Sequence, residues 1–189
     1  MLISKQTIGN HNADLNAAHS RRFARVADEL PEAEGIIQKL VDFQIAIPSW
    51  ALGTGGTRFG RFSGGGEPTS LEHKIEDIAL LHALNQSSGA ISLHIPWDIP
   101  KDGAAIKALA AQHGLAFDAM NSNTFQDQAD QALSYKFGSL QHVKKAVRQQ
   151  AIEHNIEVIQ QGIDLGAKSL TVWLSDGSCP RSRVHWCQV

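Results

Sequence analysis

The sequence predicts an α/β fold. Four short, nearly continuous apolar runs recur along the 189-residue chain, helical patterns separate them, and Trp, His, Asn and Asp residues collect just after each run. Short apolar runs between helices of about ten or more residues are the pattern of parallel strands buried on both faces and joined by helical crossovers. In barrels and doubly wound sheets the ligand site lies at the strand C-termini, so the loaded run ends mark one face as the site face.

Composition bounds the function. Hydrophobic residues make up 42% of the chain, enough for a real core, and this excludes a disordered chain. Lys+Arg 17 against Asp+Glu 19 gives a formal net charge of -2 with no long run of like charge, which disfavours nucleic acid and anionic membranes as partners. The N-terminus, Met1-Leu2-Ile3-Ser4-Lys5-Gln6, lacks the charged-then-apolar pattern of a signal peptide, and no apolar stretch is long enough to span a bilayer. A cytoplasmic protein is expected. The two cysteines, Cys179 and Cys187, lie near the C-terminal end, so no disulfide framework crosses the body of the chain.

Taken in order, residues 12–42 place Leu15, Phe23, Val26, Leu30, Ile37 and Leu40 at three- and four-residue spacings, predicting helix interrupted near Pro31. The first apolar run, 43–47, leads through Pro48-Ser49-Trp50 into glycine-rich chain from Gly53 to Gly66. Helix is predicted over 70–84, with Thr69 and Glu72 matching a capping box. The second run, 90–95, ends in Pro96-Trp97-Asp98, and its helix runs from about Asp102 to Gly114, which sits where a C′ glycine belongs. The third, 115–120, ends in Asn121-Ser122-Asn123-Thr124-Phe125 and is followed by a long helix over about 140–165, closed by Gly166. The fourth, 169–174, ends in Ser175-Asp176-Gly177.

The motifs divide into weak and informative. Gly53-x-Gly55 starts like a dinucleotide loop, but Arg58 stands where the third glycine belongs and no helix follows directly. The segment reads either as a lid, with Arg58, Phe59, Arg61 and Phe62 reaching over a pocket or a neighbouring subunit, or as a loop without structure of its own. His94 on an apolar strand is read either as a hydrogen-bonded core residue or as a rim imidazole that exchanges protons with a sugar oxygen near neutral pH. Trp50, Trp97, Phe125 and Trp173 fall at or just after successive run ends and suggest apolar walls for the C–H faces of a polyol. Asp98, Asp118 and Asp176 are scattered, pair with no histidine at helical spacing, and read as caps or turns; Cys179, His185 and Cys187 make a poor soft-metal set. His73, His82, His142 and His154 are expected on solvated helix faces.

Phe43-Gln44-Ile45-Ala46-Ile47-Pro48-Ser49-Trp50, Gly53-Thr54-Gly55-Gly56-Thr57-Arg58-Phe59, Ser92-Leu93-His94-Ile95-Pro96-Trp97-Asp98 and Thr171-Val172-Trp173-Leu174-Ser175-Asp176-Gly177-Ser178 together resemble the bacterial L-rhamnose isomerase family. The likeness runs from near residue 1 to about Cys179. It implies a xylose-isomerase-like (β/α)8 TIM barrel that interconverts an aldose and a ketose, typically L-rhamnose and L-rhamnulose, with a divalent metal, commonly manganese, in a homotetramer. By the same resemblance His94 binds substrate and assists ring opening, Trp50, Trp97, Phe125 and Trp173 line the sugar pocket, and Phe59 closes over the pocket of an adjacent subunit. Hydride movement between adjacent carbons calls for a polarising metal and a dry apolar enclosure.

The resemblance also implies what is missing. The family's metal-binding carboxylates and histidine, and its catalytic lysine, match nothing in this chain, so no metal ligands are expected here. Where the family continues Phe-Pro-Gly-Gln, this chain reads Pro180-Arg181-Ser182, the change that a shift of reading frame after Cys179 would produce. The expected organisation is therefore a helical extension (1–42), about four βα units of a partial TIM barrel (43–179) and an aberrant tail (180–189). The expected function is a truncated sugar isomerase, inactive alone for lack of the metal-binding half. One alternative is that a complementary fragment supplies that half and restores activity on association; another is a non-catalytic sugar-binding or oligomer-modulating fragment. Four strands cannot close a barrel, so open sheet edges and self-association are also expected.

Overall fold

The computed structural model describes residues 3–30, 32–53, 55–57, 60–62 and 64–173. Two helices come first, α1 (Lys5–Glu29) and α2 (Ala33–Val41). The first starts earlier than its apolar spacing predicts, because Ser4 caps it by accepting from the Thr7 amide at 3.1 Å. The chain then alternates: β1 (Ala46–Pro48), a 3-10 turn (Ser49–Ala51), the short strands β2 (Gly55–Thr57) and β3 (Gly60–Phe62), then α3 (Leu71–Asn85). There follow β4 (Ala90–Ile95), α4 (Gly103–Gln112), β5 (Ala116–Ser122), α5 (Lys145–Leu165) and β6 (Ser169–Val172).

β1, β4, β5 and β6 form one parallel sheet in that order, so each crossover carries a helix and leads to the adjacent strand. This is a partial βα repeat, as the sequence predicts. Among the described residues β1 and β6 are its edges. α3 packs on α4 and α4 on α5, covering one face of the sheet. The core lies between sheet and helices: Ile75 and Ile78 of α3, Ile91, Leu93 and Ile95 of β4, Ile106 of α4, Phe117 and Met120 of β5, and Val158 and Leu165 of α5. The alternate residues of β4, Ser92 and His94, turn to the opposite face.

One irregularity sets the register. Ile91 lies opposite Phe117 but Leu93 opposite Met120, so β5 carries an extra residue between the two pairs. Phe117 and Met120, three apart, therefore both reach the core, which strict alternation would forbid.

Several boundaries depart from the sequence pattern for local reasons. α3 is capped by Ser70, whose Oγ accepts from the His73 amide at 3.2 Å, and not by Thr69. α5 starts at Lys145, later than predicted, because the His142 Nδ1 accepts the Lys144 amide at 2.9 Å and Arg148 donates to the His142 and Val143 carbonyls. His142 therefore sits in the preceding turn, buried, and not on a solvated helix face. His82 is half-buried with a fully buried Nδ1, His154 is half-buried as well, and of the four histidines only His73 is exposed as expected. The glycine-rich segment is not structureless: Gly55 pairs with Phe62, Gly56 with Arg61 and Thr57 with Gly60 in an antiparallel hairpin. Arg58 and Phe59 lie outside the described residues, as do residues 174–189 with Asp176, Cys179, His185 and Cys187.

α5 presents Ile152, Ile156, Ile159 and Ile163 on an exposed stripe. At about 100° per residue these four fall within about 60° of the helix circumference. Its Asp164 carbonyl accepts from Lys107 of α4 on another side, so the stripe is the flank turned away from the neighbouring helix. No helix among the described residues is long and apolar enough to cross a membrane.

Ile91 is fully buried at the centre of the sheet. Ile91→Ala is expected to lower the free energy of unfolding by about 2–5 kcal/mol, measured by urea denaturation.

Candidate functional site

The C-terminal ends of three sheet strands and the turn after β1 converge on His94. Its imidazole, in a residue only 5% exposed, stacks on the Trp97 indole with centroids 3.7 Å apart and planes 17° from parallel. Trp50 meets the same imidazole edge-on at 5.5 Å and 76°, and Phe125 does so at 5.9 Å and 81°. Phe125 in turn lies 5.8 Å from Trp173, which is exposed. Three of the five aromatic residues that the sequence placed in the pocket thus meet at one histidine, and a fourth, Trp173, joins them through Phe125. The fifth, Phe59, lies outside the described residues.

Strand ends and local hydrogen bonds place the rings. Trp50 sits in the 3-10 turn directly after β1. Asn121 on β5 donates to the Leu93 carbonyl at 3.2 Å and the Asn123 amide to the Ile95 carbonyl at 3.0 Å, tying the end of β5 to β4. The Asn123 side-chain oxygen accepts from the Gln126 amide at 3.1 Å and from the Phe125 amide at 3.4 Å, a turn that directs Phe125 back toward His94. Trp173 follows β6 directly.

Behind the aromatic wall lies a buried polar cluster that the sequence pattern did not reveal. Asp98, read there as a cap or turn residue, is only 3% exposed. Its Oδ2 accepts from Ser49 Oγ at 2.5 Å and from the His94 amide at 2.8 Å, and its Oδ1 accepts from Lys74 Nζ at 2.6 Å. Lys74 is on α3 and is itself buried. The missed signal is the coincidence of one lysine on the buried stripe of a helix with one acid at a strand end, since each needs the other to be buried at all.

The arrangement offers flat apolar surfaces around one imidazole. It does not offer a metal centre: among the described residues no three of His, Cys, Asp and Glu converge where an ion could be held.

Known proteins now bear on this geometry. The chain is 48% identical over 191 aligned residues, 99% of its length, to a protein of Mesorhizobium japonicum named as a probable sugar isomerase. It is 46% identical over 94% of its length to one of Rhizobium meliloti with the same description. This chain is similar to sugar isomerases. It spans 44% and 42% of the length of those two curated relatives. No family profile matches it.

His154 of α5 adds a pH-sensitive element behind β4. Burial pushes its imidazole below the ordinary histidine value, against the opposing pull of the Glu157 carboxylate and the Ile95 carbonyl to which it hydrogen-bonds. The fold therefore prefers the neutral ring, and the unfolded chain binds the proton more readily. Stability from this group is full above the ordinary value of 6.5 and is lost as pH falls from there through the lower folded value. His154→Gln is expected to flatten the decline in urea midpoint over that range relative to the parent chain.

Proposed function

We propose that this chain forms the substrate-binding wall of an aldose–ketose isomerase of the L-rhamnose type. The observation that carries the reading is the His94 imidazole stacked on the Trp97 face, with the Trp50 and Phe125 rings set nearly perpendicular to it. A sugar presents an apolar C–H face and a rim of hydroxyls, and an aromatic wall with one embedded imidazole complements both. In this reading Trp50, Trp97, Phe125 and Trp173 pack the sugar and exclude water, and Phe59 closes over the pocket of an adjacent subunit. His94 exchanges the proton that accompanies ring opening. The similarity to two proteins named as probable sugar isomerases supports the substrate class.

A divalent metal, when bound, supplies polarisation of the substrate carbonyl and hydroxyl during hydride movement. The described residues do not fit such an ion, so the ligands are assigned to the part of the longer relatives that this chain does not span. Accordingly the chain alone binds sugar without converting it, and activity requires the remainder of the barrel.

Titrating L-rhamnose into the chain is expected to give a saturable change in tryptophan emission, because three of its tryptophans border the site. His94→Ala and Trp97→Ala are expected to abolish it while leaving the far-ultraviolet spectrum unchanged. Absence of any saturable change in the parent chain sinks the reading.

The same logic predicts no ketose formation by the chain alone with Mn2+. Activity should appear on adding the remaining segment of the Mesorhizobium japonicum relative as a separate polypeptide. Turnover by the chain alone would place the metal site within it.

A further inference from the structure

We infer that Lys74 and Asp98 are the positioning pair of the aromatic wall, fixing the His94 imidazole and the Trp97 indole as one stacked unit. The Asp98 carboxylate is reached by donors from three elements: Ser49 after β1, Lys74 on α3 and the backbone of His94 on β4. The Asp98 amide also donates to the His94 carbonyl at 2.9 Å. Residues 94 and 98 are thus tied at both ends, His94 N–H to the carboxylate and Asp98 N–H to the carbonyl. Closing the segment this way turns residue 97 back over residue 94, which is the arrangement of the stacked rings at 3.7 Å.

The lysine decides whether this closure persists. Without it, Asp98 is a buried charge with only neutral donors, and its easiest relief is to turn toward water, which releases the His94 amide and opens the turn. A buried ion pair is weak ground for stability, since an apolar pair of similar volume often serves as well. What an apolar pair cannot do is accept the Ser49 hydroxyl and the His94 amide while being anchored from α3.

A glycine accommodates the anchor. A Cβ on Gly53 would stand 3.1 Å from both Cε and Nζ of Lys74, so the chain entering the glycine-rich hairpin passes close over the ammonium and any side chain there would make the lysine end give way by a few tenths of an ångström. Gly53 is therefore the seat of the lysine, and it links the root of the hairpin to the same pair.

The purpose of the pair rests on the sugar-wall reading, but its test does not. Imidazole proton and carbon NMR of the 189-residue chain reads the ring-current displacement that the Trp97 face imposes on the His94 ring protons, with the His94 resonance assigned from its loss in His94→Gln. The double variant Lys74→Met with Asp98→Asn carries no buried charge. It is expected to unfold cooperatively in urea like the parent, to lose the upfield displacement, and to lose the emission response to L-rhamnose. Gly53→Ala keeps both charges but displaces the ammonium, and is expected to reduce the displacement with little change in urea midpoint. Full displacement in the folded double variant overturns the inference, and so does full displacement in Gly53→Ala if the double variant does not fold. Loss of displacement in the variants of a parent chain that never responds to L-rhamnose supports the positioning role and removes the sugar reading.

Discussion

The stacked centre of the rim, His94 with Trp97, depends on where one buried carboxylate directs its two oxygens. Asp98 draws donors from the turn after β1, from α3 and from the backbone of β4, and each of those elements carries part of the aromatic wall or its support. The wall has no sequence continuity: Trp50, His94, Trp97 and Phe125 come from three βα units. Core packing fixes the strands to within the spacing of a parallel ladder, but it does not fix where a rim ring points. Charge-assisted hydrogen bonds are short and directional enough to do so.

The fold was legible in the sequence because its signals are local and redundant. The run 90–95 is the strand β4, with Pro96 marking its end and an Asp102 cap and Gly114 bounding the helix that follows. The aromatic wall was legible for a similar reason, since each of its residues lies at or near a strand end. Where one side chain chooses between two roles, the reading failed. Thr69 and Ser70 both match a helix cap, and it is Ser70, with extended backbone, whose hydroxyl takes the His73 amide. His142 fits a helix, yet its ring nitrogen takes the amide that would continue the helix upstream. The Lys74–Asp98 pair was invisible because its partners are separated by 24 residues and neither is unusual alone. The hairpin within the glycine-rich segment was hidden by glycine itself, whose side chain carries no period to read.

The described sheet is strongly asymmetric in its finish. β4 is buried along its whole length, whereas β6 alternates between exposed and half-buried positions. Beside it α5 holds its isoleucine stripe away from α4, and a groove of about 230 Å3 runs between Ile159, Ile163 and Leu170. Across the sheet, Phe43 and Ile45, which lead into β1, are also exposed. Both margins of the described sheet therefore present apolar side chains where a free edge is better served by a polar surface.

The extra residue in β5 ties the rim to the core in a way that limits how this protein can vary. Because Phe117 and Met120 are both held in the core, deleting the bulge residue would either expel one of them or rotate Asn121, Ser122 and Asn123 half a pleat and carry Phe125 away from His94. Insertions and deletions are thus barred from the strand and diverted into the long connection between Phe125 and α5. Lineages of this fold should differ in the length of that connection while keeping the number of residues from Ile91 to Asp98, and from Phe117 to Phe125, constant.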